Sequence, residues 1–110
     1  MKILITGATG FIGNNLISKL VDNKSYDIIA TSRNLEKAKA FHWFNQVTYI
    51  PYDLNNNNLV NLNSYFGNPD KVIHLAWEGL SNYNDPSHME ILLFNHYNFV
   101  KNLIQNGLKD

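Results

Sequence analysis

Three glycines spaced two residues apart, Gly7, Gly10 and Gly13, with Thr6 and Thr9 between and before them, are the residues of this sequence whose types and spacing bear most directly on chemistry. A glycine-spaced turn brings backbone N–H groups close to a phosphate, and a helix N-terminus placed there adds a favourable dipole. Gly7 permits a tight turn, Gly10 lets the backbone approach a pyrophosphate, and Gly13 allows a helix to pack closely on the preceding strand. The spacing is G-x-x-G-x-x-G rather than G-x-G-x-x-G, but strand before and helix after are the context that such a fingerprint requires. The chemistry implied is the binding of a dinucleotide. The alternative is a turn that the glycines shape without any ligand.

The segments flanking the turn supply that context. Ile3-Leu4-Ile5 is a continuous apolar run, the pattern of a parallel strand covered on both faces, and Ile12, Leu16, Ile17, Leu20 and Val21 keep helical spacing until Asp22-Asn23. The alternation then repeats. Strands are expected around Ile28-Ile29-Ala30, over Val47–Ile50 ahead of Pro51, and over Lys71–Leu75. Helices are expected over Leu35–Phe44 with Asn34 as N-cap, along Leu59, Leu62 and Phe66 up to Gly67-Asn68-Pro69, and from about Ser87 to a cap at Gly107. In the last of these, Leu92, Tyr97, Val100, Leu103 and Ile104 are the expected apolar positions, and Ser87 with Glu90 has the spacing of a capping box. Four β-α units in alternation imply right-handed crossovers and an α/β fold: a doubly wound parallel sheet in a single domain, residues 1–110.

Bulk properties exclude several functions. The 110 residues carry a formal charge of zero with scattered Lys and Arg, so neither a nucleic acid nor a membrane surface is an expected partner. Cysteine is absent, which removes disulfide and thiolate chemistry, and neither a signal-peptide core nor a membrane span is present; a cytoplasmic location is the expectation. The four histidines have no spacing that forms a metal set, and frequent Asn, including Asn55–Asn58, reads as loop and cap chemistry.

Thr6–Gly13 resembles the N-terminal signature of the extended short-chain dehydrogenase/reductase superfamily, the NAD(P)-dependent nucleotide-sugar epimerase, dehydratase and reductase group, whose cofactor domain is Rossmann-type. The resemblance implies that Gly7, Thr9, Gly10, Phe11, Ile12 and Gly13 hold the cofactor's phosphates. Ser32 stands where NAD-type members carry an acid for the ribose 2′-OH, and Arg33 follows it. A guanidinium can grip a 2′-phosphate that a carboxylate would repel, so NADP is favoured over NAD. Asp53-Leu54 resembles the pair that contacts the adenine edge. His74-Leu75-Ala76-Trp77 is similar to the H-L-A-[AG] element beside the nicotinamide half, with Leu75 and Ala76 as the implied contacts and Trp77 departing from the usual small residue. His74 reads equally as a cofactor contact or as a strand-end core histidine.

The family's Tyr-x-x-x-Lys pair is expected after a fifth strand, and the sequence ends before one. Tyr97 and Lys101 match the spacing but lie one strand too early, so Tyr97 is expected to pack and Lys101 to be exposed, and no catalytic residue is assigned. Asn95 and Asn98 are likewise given no role. The resulting expectation is the NADP-binding N-terminal part of a longer enzyme acting on a nucleotide sugar or related sugar, inactive alone, with oligomeric state open. Two alternatives from other classes are a non-catalytic nucleotide-binding or regulatory module and an interaction domain that pairs through an exposed strand edge.

Overall fold

The computed structural model describes residues 1–54, 61–76 and 86–108, with the side chains of 86–93 outside that set. Four strands, β1 (Lys2–Thr6), β2 (Asp27–Thr31), β3 (Thr48–Tyr49) and β4 (Lys71–His74), form one parallel sheet in the order β3-β2-β1-β4. The helices are α1 (Phe11–Leu20), α2 (Leu35–Lys39), α3 (Leu62–Tyr65) and α4 (Pro86–Gln105), with a 3₁₀ turn at Phe44–Gln46. The expected doubly wound architecture is therefore present.

The continuous apolar run of β1 is divided between two cores by the alternation of side chains along a strand. Ile3 and Ile5, with Ile28 and Ala30 of β2, face Ile17 of α1 and the fully buried Trp43. Leu4 and Ile29 face the other way, onto Leu54, Leu62, Phe66, Phe99 and Leu103, so α3 and α4 cover that side. In register, Ile5 lies opposite Ala30 on one flank and Ile73 on the other, which makes β1 the central strand on which both halves of the sheet depend.

Three segments depart from the sequence expectations. The second helix ends at Lys39 rather than Phe44. Its expected last turn is pulled inward instead: Trp43 is fully buried, its indole N–H donates to Asn14 Oδ1 at 2.7 Å, and its ring stacks on Phe41 at 5.2 Å. Burying an aromatic of that size outweighs a few residues of helix propensity. Among the described side chains of α4 the buried positions are His96, Phe99 and Leu103, while Tyr97 and Ile104, expected to be apolar-face residues, are 63% and 58% exposed. The same helix begins at Pro86, so Ser87 lies inside the first turn and is not the cap; proline is favoured at that first position because it lacks an N–H to satisfy. Leu59, Leu92, Trp77 and Asn55–Asn58 fall outside the described residues or side chains.

Helix ends follow the sequence more closely. Asn34 and Asn61 accept from Lys37 N and Ser64 N as N-caps of α2 and α3. At the end of α4, Gly107 has φ +117, and Leu108 N donates to Leu103 O while Gly107 N donates to Ile104 O. This is the paired bond pattern of a Schellman cap, with Leu108 returning to the core beside Leu103. Asparagine also ties α3 to α4, through Leu62 N to Asn102 Oδ1 and Asn63 Nδ2 to Leu103 O.

Candidate functional site

In an open parallel sheet, a crevice forms at the carboxyl ends of the strands where successive connections depart in opposite directions. Here that point lies between β1 and β4, because the chain leaves β1 toward β2 and returns to the far side at β4. A cleft of about 380 Å³ opens there, lined by residues at the ends of all four strands: Thr6 and Gly7 after β1, Thr31 and Ser32 after β2, Tyr52 and Leu54 beyond β3, Leu75 and Ala76 after β4.

The glycine turn forms one wall. Gly7 has φ +67, and a Cβ there would stand 2.7 Å from both Ala76 N and the Leu75 carbonyl carbon. The β1 turn and the β4 exit are thus packed back to back without room for a side chain. Gly10 N donates to Gly7 O at 3.0 Å, and a Cβ on Gly13 would fall 2.2 Å from that same oxygen. Gly10 is also the N-cap of α1, and it supplies no side-chain hydrogen bond; the first turn of α1 carries no acidic residue. Unlike α2 and α3, α1 presents its first N–H groups uncapped beside the cleft, which leaves donors and a positive dipole end for an anion.

The opposite wall carries positive charge. Arg33 and Lys37 both line the cleft, together with Ser32 and Asn34. Ser32 Oγ and the Tyr49 hydroxyl are 2.5 Å apart, and Tyr49 also donates to Ser32 O at 3.1 Å, so the strand-end serine is anchored from β3. Thr31 adds a buried hydroxyl that has no hydrogen-bond partner among the described residues.

Of the residues singled out in the sequence, Gly7, Thr9, Gly10, Ser32, Arg33, Leu54, Leu75 and Ala76 are brought to this one cleft. Phe11, Ile12, Gly13 and Asp53 do not line it. Phe11 and Ile12 are 86% and 65% exposed, so only their backbone in the first turn of α1 lies near the glycine turn, and Gly13 is buried against Gly7. Asp53 sits between two lining residues, Tyr52 and Leu54, as expected where side chains alternate along an extended segment. Sequence reasoning did not assign Thr31, Lys37, Tyr52 or Phe99 to the site, and gave Asn34 only a capping role. Lys37 lies in the first turns of α2, just after the Asn34 cap and the strand-end Arg33, and the fold brings both cations to the cleft.

His74 is not a lining residue; it lies behind the cleft. Its ring stacks on Phe99 at 5.1 Å, its Nδ1 is 2.7 Å from Thr6 Oγ1, and its Nε2 is 2.6 Å from His96 Nδ1. Burial first, and then the neighbouring His96, lower its pKa from an ordinary 6.5 to about 4. An unfolded chain takes up this proton below pH 6.5 while the folded chain does not. Stability is therefore undiminished above 6.5 and falls as pH drops toward 4, by at most about 3 kcal/mol and less after screening at a part-exposed ring. Urea midpoints measured between pH 7.5 and 5, above the carboxylate range, should fall with pH, and His74→Gln should flatten that slope.

Tyr52 is shifted the other way, up to about 12, by burial and then by Tyr65 and Asp53. It stays protonated, the opposite of what a proton-abstracting tyrosine needs. Tyr97 and Lys101 do not reach the cleft; the Lys101 ammonium lies over the Tyr97 ring at 5.7 Å on the outer side of α4. Among the described residues no three His, Asp or Glu side chains could hold a metal ion, and no helix is long and apolar enough to cross a membrane.

Comparison with known proteins agrees with this architecture. The dTDP-6-deoxy-L-talose 4-dehydrogenase (NAD(+)) of Aggregatibacter actinomycetemcomitans is 32% identical over 111 residues, matching all of this chain and 39% of that protein. The UDP-Glc/GlcNAc 4-epimerase of Campylobacter jejuni superposes with a TM-score of 0.77 at 18% identity, over 97% of this chain and 34% of its own. The Bacillus cereus UDP-glucuronic acid 4-epimerase, solved with UDP-glucuronic acid and NAD, gives 0.72 at 22% identity over 99% and 37%. The chain thus spans well under half the length of these relatives. The family model that matches, over residues 3–105, places the chain in the NAD dependent epimerase/dehydratase family.

Proposed function

We propose that this chain is the cofactor-binding part of an epimerase, dehydratase or reductase acting on a nucleotide sugar or related sugar, and that it prefers NADP(H). The observation that carries the cofactor reading is the wall where α1 begins. Its first N–H groups are uncapped, and the turn before them is held tight by glycines, since a Cβ on Gly7 would strike the Leu75–Ala76 peptide and one on Gly13 would strike Gly7 O. A pyrophosphate fits that cradle, and the Thr31 hydroxyl offers a further polar contact in the same cleft. On this reading Gly7, Thr9 and Gly10, with the backbone of Phe11, Ile12 and Gly13, hold the phosphates, Asp53 and Leu54 serve the adenine end, and Leu75 and Ala76 border the nicotinamide half. The bound cofactor would supply hydride transfer.

The preference for NADP rests on Arg33 and Lys37, two cations at the cleft, with Ser32 where a carboxylate would otherwise exclude a 2′-phosphate. The nucleotide-sugar substrate is supported by the names of the relatives. Calorimetric titration is the test: NADPH should bind at least about tenfold more tightly than NADH, a difference near 1.4 kcal/mol. Equal or tighter NADH binding overturns the preference, and no heat with either overturns the cofactor reading.

A further inference from the structure

The hydrogen bonds behind the cleft have a fixed direction. Leu75 N and Ala76 N both donate to Thr6 Oγ1, at 2.9 and 3.1 Å. A hydroxyl has two lone pairs and one hydrogen, so with both lone pairs taken its hydrogen must go to the third neighbour, His74 Nδ1. That nitrogen is then bare, and the imidazole carries its proton on Nε2, which points at His96 Nδ1 and donates to it. Every link is determined by the one before, from two backbone amides on β4's exit to a histidine on α4.

We propose that His96 is a positioning residue for the cofactor cleft, acting through His74 and Thr6 to hold the Leu75–Ala76 wall against the Gly7 turn. The geometry gives the chain leverage. The Leu75–Ala76 peptide stands where a Gly7 Cβ would be, so a wall that shifts moves the turn that cradles the phosphates. His96 is 8% exposed and Thr6 2%, so solvent cannot replace the lost partners freely. If His96 no longer accepts, the His74 Nε2–H loses its acceptor and the ring gains by moving its proton to Nδ1. Thr6 would then face a donor where it now has an acceptor, and one of the two amides would lose its place on the oxygen. Burial lowers the His74 pKa to about 4, so its ring is neutral at pH 7.5, as the bond from the Thr6 hydroxyl to Nδ1 requires.

The inference rests on the cofactor reading only for its affinity measurement. In ¹⁵N-labelled protein, long-range imidazole spectra at pH 7.5 should show His74 protonated at Nε2 and bare at Nδ1. His96→Leu should move His74 toward the other tautomer and speed exchange of the Leu75 and Ala76 amides. It should weaken NADPH binding about fivefold, the size of one net hydrogen bond. His96→Gln, whose side-chain carbonyl can accept from Nε2–H without titrating, should restore tautomer, exchange and affinity together. A packing role alone predicts that Gln and Leu fail alike. An Nδ1–H tautomer in the unmodified protein, unchanged amide exchange in His96→Leu, or no rescue by Gln would each overturn the proposal. If no dinucleotide binds, the cofactor reading fails, and tautomer and exchange still decide the positioning role.

Discussion

Gly13→Ala should destabilise the protein by about 2–4 kcal/mol net, although by propensity alone an alanine inside a helix is worth about 1 kcal/mol more than glycine. The two effects have different origins, and distance decides between them. The added Cβ would lie 2.2 Å from Gly7 O, 2.9 Å from Gly7 C and 3.0 Å from Ala8 Cα, all backbone atoms with no rotamer to change. Relief requires α1 to move off β1 or the Gly7 turn to open, and Gly7 O is also the acceptor for Gly10 N. The midpoint of thermal unfolding should drop by roughly 10 °C or more for a domain of this size. Gly10→Ala supplies the graded comparison: its Cβ would meet Gly7 O at 3.3 Å, which a shift of a few tenths of an ångström can absorb. Gly13→Ala within about 0.5 kcal/mol of the unmodified protein, the ordinary range of a surface change, would contradict this account.

The glycines illustrate why much of this molecule was legible in its sequence. Their spacing reports a steric requirement that no other residue meets, and the apolar run at Ile3–Ile5 reports burial on two faces. Both are local signals of a tertiary fact. The parallel sheet and the element order follow from signals of this kind, and eight of the twelve residues named for a cofactor line one cleft, most of them named through the family resemblance. What escaped is what depends on long-range competition. Nothing in the helix-favouring stretch Leu35–Phe44 announces that Trp43 will be fully buried with its indole bonded to Asn14, on another helix. Tyr97 looks apolar and well spaced, yet among the described side chains of α4 it is His96, Phe99 and Leu103 that are buried. His96 carries no sequence cue because its meaning lies in a partner 22 residues away on a strand end. Lys37 is hidden in the sequence for a different reason: a lysine on a short helix is usually solvated, and it is the fold that brings it to the same cleft as Arg33.

That pair of cations bears the second large effect. Replacing both in Arg33→Ala/Lys37→Ala should weaken NADPH binding by about 30- to 150-fold, roughly 2–3 kcal/mol, while NADH affinity stays within about threefold. The asymmetry follows from where the charge sits. A 2′-phosphate adds about −1.5 to −2 charge at neutral pH, and NADH presents a neutral hydroxyl at the same atom. Each charge-assisted hydrogen bond can contribute about 1.5–3 kcal/mol, but in a cleft open to water the two sum to less than the upper figure because salt and solvent screen them. NADPH affinity should accordingly fall with added salt in the unmodified protein and lose most of that dependence in the double variant. Arg33→Lys separates charge from geometry: it keeps the cation but not the planar fork that grips a phosphate through two parallel bonds, so it should retain part of the preference. An unchanged NADPH-to-NADH ratio in the double variant would mean that these residues are only solvated neighbours of the cleft. The dinucleotide reading would then rest on the glycine cradle alone, and the choice between NAD and NADP would have to come from elsewhere in the protein.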